Sequence, residues 1–241
     1  MPRYAEEGSS LKNGLPIAPS LPDAIRSLHL FKDCSAQELQ DLQEVSRLLE
    51  VPAGRTVIRQ GEEVDGLYGI VSGRIEISST LTNGRRFIRR FGEPGQIWGF
   101  VGVFDGNGSP YFYIAQESSW ILFVSKARFL SLLKNNPSFW STVARQLSAI
   151  HRTTLTDIEE LLFSDLSGRL LRILRSLGTA YGTKEGDFID IKITQEDLAA
   201  MIGVTRQSIS KELAGFEQQK LIKIGYGRIM LTDIAAIDRL L

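Results

Sequence analysis

Residues Ile193–Phe216 read ITQEDLAAMIGVTRQSISKELAGF, and the spacing within this run governs the C-terminal third of the chain. Thr194 is an N-cap residue, and the acidic Glu196 and Asp197 behind it suit the positive end of a helix. Leu198, Ala199 and Ile202 form that helix's apolar side. Gly203 permits a tight left-handed turn, Val204 plugs the corner, and Thr205 caps a second helix. There Ile209, Leu213 and Phe216 fall on one face, so Arg206, Gln207, Ser210 and Lys211 project from the opposite one. This is the pattern of a helix-turn-helix, whose second helix lies in the DNA major groove with its N-terminal residues at base edges. Leu221–Ile224, Gly225-Tyr226-Gly227 and Arg228–Leu231 then read as a hairpin wing. A plain helical hairpin with a solvated polar face is the bland reading. The Ala199 and Gly203 spacing, the Thr-Arg-Gln-Ser start and the wing agree with one another and favour DNA.

Upstream, Trp140, Val143, Leu147, Ile150, Thr154, Ile158 and Leu161 recur at threes and fours, an imperfect heptad stripe running to about Phe163. A stripe of this length suggests pairing with its copy in a second subunit, with burial against the chain's own β-rich part as the competitor. Helical periodicity also covers Lys126–Leu133 and stops before Pro137. From Val51 to Ser125 the texture is different. Short β-branched or aromatic runs (Thr56–Ile58, Leu67–Val71, Arg74–Ser78, Phe87–Phe91, Tyr111–Ala115, Trp120–Val124) alternate with glycines, which reads as a rolled antiparallel sheet. Asn83-Gly84 between two such runs marks a hairpin, since both residues accept positive φ. Leu21–Leu49 reads as helical, with Leu28, Leu30, Phe31, Leu39, Leu42, Val45 and Leu48 in phase and Ser35 as a cap. Met1–Ser20 shows no periodicity and reads as a loose arm.

The organisation expected is therefore α+β: a flexible arm (1–20), a sensing β-roll with flanking helices (21–136), a dimerisation helix (137–165) and a winged helix-turn-helix (166–241). The 28 Lys+Arg balance 28 Asp+Glu, so net charge does not announce a polyanion partner and the DNA argument is local. Leu166–Leu241 carries 11 Lys+Arg against 9 Asp+Glu, a small excess on the side that would hold DNA. The single Cys34 forms no internal bridge, and no apolar run is long enough to cross a bilayer. A reducing cytoplasm and no membrane partner are expected.

These features resemble the cyclic-AMP receptor protein and fumarate-nitrate regulator (Crp/Fnr) family of bacterial transcription factors over nearly the whole chain. The likeness rests on Gly54, Gly61, Ser72-Gly73-Arg74, Gly95-Gln96-Ile97-Trp98-Gly99, Leu166-Ser167-Gly168-Arg169-Leu170 and the winged helix-turn-helix. It implies a cyclic-nucleotide-binding-like β-roll, a long dimer helix and a C-terminal DNA reader. Double-stranded DNA, a second copy of the chain, RNA polymerase and a small effector are the partners it implies. The family's recognition helix carries Ser-Arg-Glu-Thr-x-Ser/Gly-Arg; here it is Thr205-Arg206-Gln207-Ser208-Ile209-Ser210-Lys211. Arg206 stands where the family's guanine-reading arginine stands, and its fork suits guanine O6 and N7. Gln207 replaces a glutamate and can donate as well as accept. Lys211 replaces an arginine and supplies charge with less planar discrimination. Thr194, Gln195, Thr205, Ser208, Tyr226 and Arg228 are candidates for phosphate contact, each with a plain surface reading beside it.

In the sensor, family members that bind cyclic AMP use a Gly-Glu-Leu segment and a downstream Arg-Ser pair. Aligned on Gly95 and Gly99, this chain has Phe100 for the glutamate, and Pro110 and Tyr111 for the pair. With the polar anchors gone, cyclic AMP is not the expected effector. One cysteine does not supply the thiolates of an iron–sulfur cluster. His29 leaves haem open, against a packing or surface role. Phe87, Arg89 and Phe91 share one strand face, which would turn Arg89 inward, as a ligand contact or as half of a structural pair with an internal acid. Trp98, Phe100, Tyr111 and Tyr113 could supply aromatic walls, and His151 with Thr154 could close the site from the long helix or interrupt a dimer seam. This set suits a small aromatic carboxylate such as a hydroxybenzoate. The competitor is an effector-independent regulator whose aromatics fill the old cavity. The sequence contains no phosphate-loop signature, zinc-ligand cluster or nucleophile elbow, which argues against an enzyme. A β-roll binding module without a DNA role is opposed by the helix-turn-helix.

Overall fold

The computed structural model describes residues 11–12, 15–16, 18–32 and 34–241. They divide into two compact units, one ending at Ser78 and including Arg90–Gln146, the other comprising Ser79–Arg89 and Leu147–Leu241.

The first unit begins with two short paired strands, β1 (Leu11–Lys12) and β2 (Leu15–Pro16). Of the described part of the expected arm, Leu11–Lys12 and Leu15–Pro16 are therefore paired and residues 18–20 belong to no strand, while residues 1–10, 13, 14 and 17 lie outside the described set. Helix α1 (Leu21–Ser27) follows a Ser20 cap. Helix α2 (Ala36–Val45) opens with a capping box, in which Ser35 Oγ accepts from Glu38 N–H while Glu38 accepts from Ser35 N–H. The helical reading of Leu21–Leu49 fails at its end: Ser46–Val51 is strand β3. Leu48 and Leu49 keep the helical phase of Leu42 and Val45. The ladder they complete with the buried run Ile121–Val124 overrides that local periodicity.

Strands β4 (Thr56–Ile58), β5 (Gly66–Ser72), β6 (Ile75–Thr80), β7 (Arg86–Gly92), β8 (Ile97–Trp98), β9 (Phe112–Ala115) and β10 (Ser119–Ser125) complete the roll. They form two four-stranded sheets, ordered β3-β10-β5-β8 and β4-β9-β6-β7. Ile70, Ile75, Ile88 and Ile121 are fully buried in its core. Helix α3 (Phe100–Asp105), absent from the sequence reading, starts from Gly99, and α4 (Lys126–Asn135) follows β10. The β6–β7 connection differs in detail from the expected tight turn. Gly84 N–H donates to Leu81 O, Leu81 N–H donates to Arg85 O, and only Gly84, at φ 78°, enters the left-handed region. This is a three-residue loop closed by a glycine.

Helix α5 (Ser138–Phe163) is the long helix. In the second unit, α6 (Leu166–Tyr181) is capped by Asp165 and buries Leu170, Leu171, Leu174 and Leu177. Strands β11 (Thr183–Glu185) and β12 (Phe188–Lys192) precede the pair α7 (Gln195–Ile202) and α8 (Arg206–Gln218). Strands β13 (Ile222–Gly225) and β14 (Arg228–Leu231) and helix α9 (Ile234–Leu240) close the chain. The wing is thus one edge of a four-stranded sheet, β11-β12-β14-β13, rather than an isolated hairpin. Among the described residues, no helix is long and apolar enough to cross a membrane.

Candidate nucleic-acid interface

The reading helix is presented by local chemistry. Thr194 Oγ1 accepts from Asp197 N–H at 3.0 Å, starting α7, and Gly203 ends it at φ 81° with its N–H donating to Ala199 O. Thr205 Oγ1 then accepts from Ser208 N–H at 3.2 Å and lies 2.9 Å from Ser208 Oγ, so the second cap opens α8 within two residues of the turn. Ile209, Leu213 and Phe216 are 0, 0 and 4 % exposed, and burying each stabilises the pair by roughly 1.5–3 kcal/mol. That burial fixes the rotation of α8 and leaves Arg206, Gln207, Ser210 and Lys211 exposed along its other side. Glu217 Oε1 accepts from Ile224 N–H at 2.8 Å and ties the helix to the wing. Tyr226 stands fully exposed at the wing tip.

Two arginines in this unit have acidic partners that the sequence did not name. Arg228, expected at a phosphate, donates through Nε to Asp190 Oδ1 at 2.9 Å, and its Nη2 lies 3.7 Å from Glu185. Asp190 is 4 % exposed, and a buried carboxylate requires this cation. Arg228 is therefore a structural partner whose side chain also stays 42 % exposed. Arg89, considered as a ligand contact, donates to Asp157 Oδ2 at 3.2 Å and to Thr154 Oγ1 at 3.3 Å. The structural-pair alternative fits: the acid comes from α5, and the pair is partly exposed rather than sealed inside. His151 is exposed and Thr154 half-buried.

Two further residues act here that the sequence pattern did not mark. Arg85 donates from Nη2 to the carbonyls of Gly203 and Val204, both at 3.3 Å, and Arg86 pairs with Asp197 at 3.1 Å. Arg85 ends the β6–β7 loop and Arg86 begins β7, 111 to 119 residues from their partners, a separation that local pattern does not reveal.

In the first unit, Trp98 and Tyr113 come together. Their rings stack at 4.9 Å, and Tyr68, absent from the expected set, stacks on Trp98 at 5.7 Å. Tyr68 and Tyr113 belong to different sheets, so the three rings bridge the roll. The indole N–H of Trp98 is buried without a hydrogen-bond partner. The Tyr68 hydroxyl donates to Asp65, and burial with that neighbouring carboxylate pushes its acidity far down, keeping it protonated. Phe100 belongs to a separate cluster with Phe104 and Phe129. Tyr111 is half-buried, and its carbonyl accepts from Ser109 Oγ.

Residues 48–136 match the cyclic nucleotide-binding domain, and residues 168–240 match the Crp-like helix-turn-helix domain. The two together span most of the chain, in the order the fold requires. The chain belongs to the Crp/Fnr family of transcription regulators. Among Crp/Fnr relatives, the CRP-like cAMP-activated global transcriptional regulator of Mycobacterium tuberculosis is 26 % identical over 214 residues, covering 87 % of this chain and 95 % of the relative. The cAMP-activated global transcriptional regulator CRP of Haemophilus influenzae is 27 % identical over 177 residues, covering 73 % of this chain and 79 % of that one. A CRP-family regulator from Thermus thermophilus shares the fold at TM-score 0.69 and 24 % identity, covering 80 % of this chain and 95 % of its own. The c-di-GMP responsive global regulator of Xanthomonas campestris does so at TM-score 0.72 and 19 % identity, covering 82 % and 99 %. Like these Crp/Fnr proteins, the chain is a DNA-binding transcription regulator.

Proposed function

We propose that this regulator acts as a homodimer on palindromic promoter sites, engages RNA polymerase there, and is controlled by a small effector other than cyclic AMP. The observation that carries the DNA part is the exposed row Arg206, Gln207, Ser210 and Lys211 over the buried row Ile209, Leu213 and Phe216. Arg206 reads guanine through its fork, and Gln207 reads the neighbouring pair with a donor as well as an acceptor. Thr194, Gln195, Thr205, Ser208 and Tyr226 are the phosphate contacts in this reading. The homodimer is supported by α5, which exposes Leu147, Leu155, Ile158 and Leu162 at 39, 49, 48 and 69 %. A helix that leaves such a stripe in water is short of a partner, and a second copy of itself supplies one.

The choice of effector rests on what replaces the polar anchors. Phe100, at 3 % exposure, packs among Phe104 and Phe129 at the position of the glutamate in the cyclic-AMP binders' Gly-Glu-Leu segment, and Pro110 and Tyr111, at the positions of their Arg-Ser pair, supply no cation for a cyclic phosphate. Trp98 and Tyr113 offer aromatic faces, and the Trp98 indole N–H offers a donor, which suits a small aromatic carboxylate such as a hydroxybenzoate. A second reading, an effector-independent regulator, is favoured by two observations: the Tyr68–Trp98–Tyr113 stack occupies the roll, and Arg89 already has Asp157 as its counterion.

Selection of duplexes from a random pool, followed by gel shift with and without hydroxybenzoates, tests these statements. A palindromic preference that tightens with the acid supports the first reading. A preference indifferent to every acid supports the second. No preference over scrambled DNA would sink the regulator reading.

A further inference from the structure

The loop between β6 and β7 belongs to the same compact unit as the helix-turn-helix. Arg85, at the end of the loop, and Arg86, at the start of β7, hold α7 at both ends. Arg86 pairs with Asp197 in the first turn of α7 at 3.1 Å. Arg85 donates to the carbonyls of Gly203 and Val204, at the end of α7 and in the corner that leads to the α8 cap. A cation at helix-terminal carbonyls and a counterion for a first-turn acid are each favourable. Behind the loop, Arg89 joins the same strand to Thr154 and Asp157 of α5. With the loop in place Arg206, Gln207, Ser210 and Lys211 remain exposed. The loop therefore does not cover the reading face; it grips the first turn of α7 and the corner between α7 and α8.

We infer that Arg85 and Arg86 are positioning residues for DNA recognition, a clamp by which the β6–β7 loop fixes the corner from which α8 enters the groove. The inference rests on the DNA-binding reading. The clamp acts through two partners of opposite kind. Arg86 also cancels the Asp197 carboxylate, which otherwise faces the phosphates that Thr194 and Gln195 would contact. Arg85 orders the Gly203–Val204 peptide that sets the direction of Thr205 and Arg206. Loss of either contact loosens α8 without touching the bases.

The test separates positioning from simple charge. Neutralising an acid beside a DNA site strengthens binding if only the electrostatic field matters. The clamp requires the opposite for Asp197→Asn. On a duplex recovered from a random pool by the unaltered chain, Asp197→Asn and Arg86→Ala each weaken binding by about two- to fivefold, the range set by a partly exposed ion pair. The double variant is no weaker than either single one, and Arg86→Lys restores most of the affinity. Binding to scrambled DNA falls much less, and the melting temperature falls by no more than the loss of one partly exposed ion pair accounts for. Binding by Asp197→Asn that is equal or tighter, or losses that simply add in the double variant, overturns the clamp. If the unaltered chain recovers no preferred duplex, the DNA reading fails, and the clamp with it.

Discussion

Gly203 sits at φ 81° with open space where a Cβ would project, so a side chain there meets no atoms and the penalty is purely conformational. Gly203→Ala is expected to cost about 1 kcal/mol of stability, read as a lower urea midpoint at unchanged slope. Because this turn aims α8, the same change is expected to weaken DNA binding more than stability alone explains. Lys220 is the reverse case, a non-glycine residue at φ 60° just past α8. Lys220→Gly relieves that strain, and a gain of about 0.5 kcal/mol in the same measurement is expected. For recognition itself, Arg206→Ala is expected to lose roughly 1–3 kcal/mol on the cognate duplex and to relax discrimination at one guanine. An equal loss on every sequence would make Arg206 a backbone contact.

Among elements, α5 carries an unsatisfied apolar stripe whereas α6 is firmly tied. Replacing Leu155 and Ile158, both near half exposure, by glutamate is expected to convert a dimer into a monomer in sedimentation equilibrium while the far-ultraviolet spectrum stays helical. The tie between α6 and α9 is Arg175 with Asp238, 2.6 Å from Nε to Oδ1. The guanidinium holds the Asp238 carboxyl below its ordinary value of 3.8. A depressed carboxyl stabilises the folded state above its unfolded pKa, and that contribution is lost as pH falls through the lower folded value. The melting temperatures of the unaltered chain and of Asp238→Asn are therefore expected to differ at neutral pH and to converge under acid. A gap that persists undiminished down to about pH 2 would remove this ion pair as its cause.

At the scale of the molecule, the proposed homodimer holds two copies of the reading helix at a fixed spacing. A two-fold dimer is expected to protect two half-sites about one helical turn apart in a footprint. Its affinity is expected to fall steeply with salt, because the Lys and Arg at each half-site release counterions from the phosphates. Charge reversal at Lys211 should flatten that salt dependence without shifting the footprint. A footprint confined to one half-site would refute the symmetric assembly.

The helix-turn-helix was legible in the chain because every part of it is local: caps, a turn glycine and an apolar stripe all lie within 24 residues of sequence. Six roll strands were legible for the same reason, since alternation and glycine punctuation are short-range signals. Strand β3 was not, because Leu48 and Leu49 fit a helical phase and only the β10 ladder draws them into a sheet. The counterions of Arg89 and Arg228, the inclusion of Tyr68 in the aromatic stack, and the arginine grip on the corner before α8 were also decided by the tertiary structure. Each joins residues far apart in the chain. Local sequence specifies a residue's conformational preferences and which face it takes, whereas the partner of a charge or a ring depends on how distant segments come together.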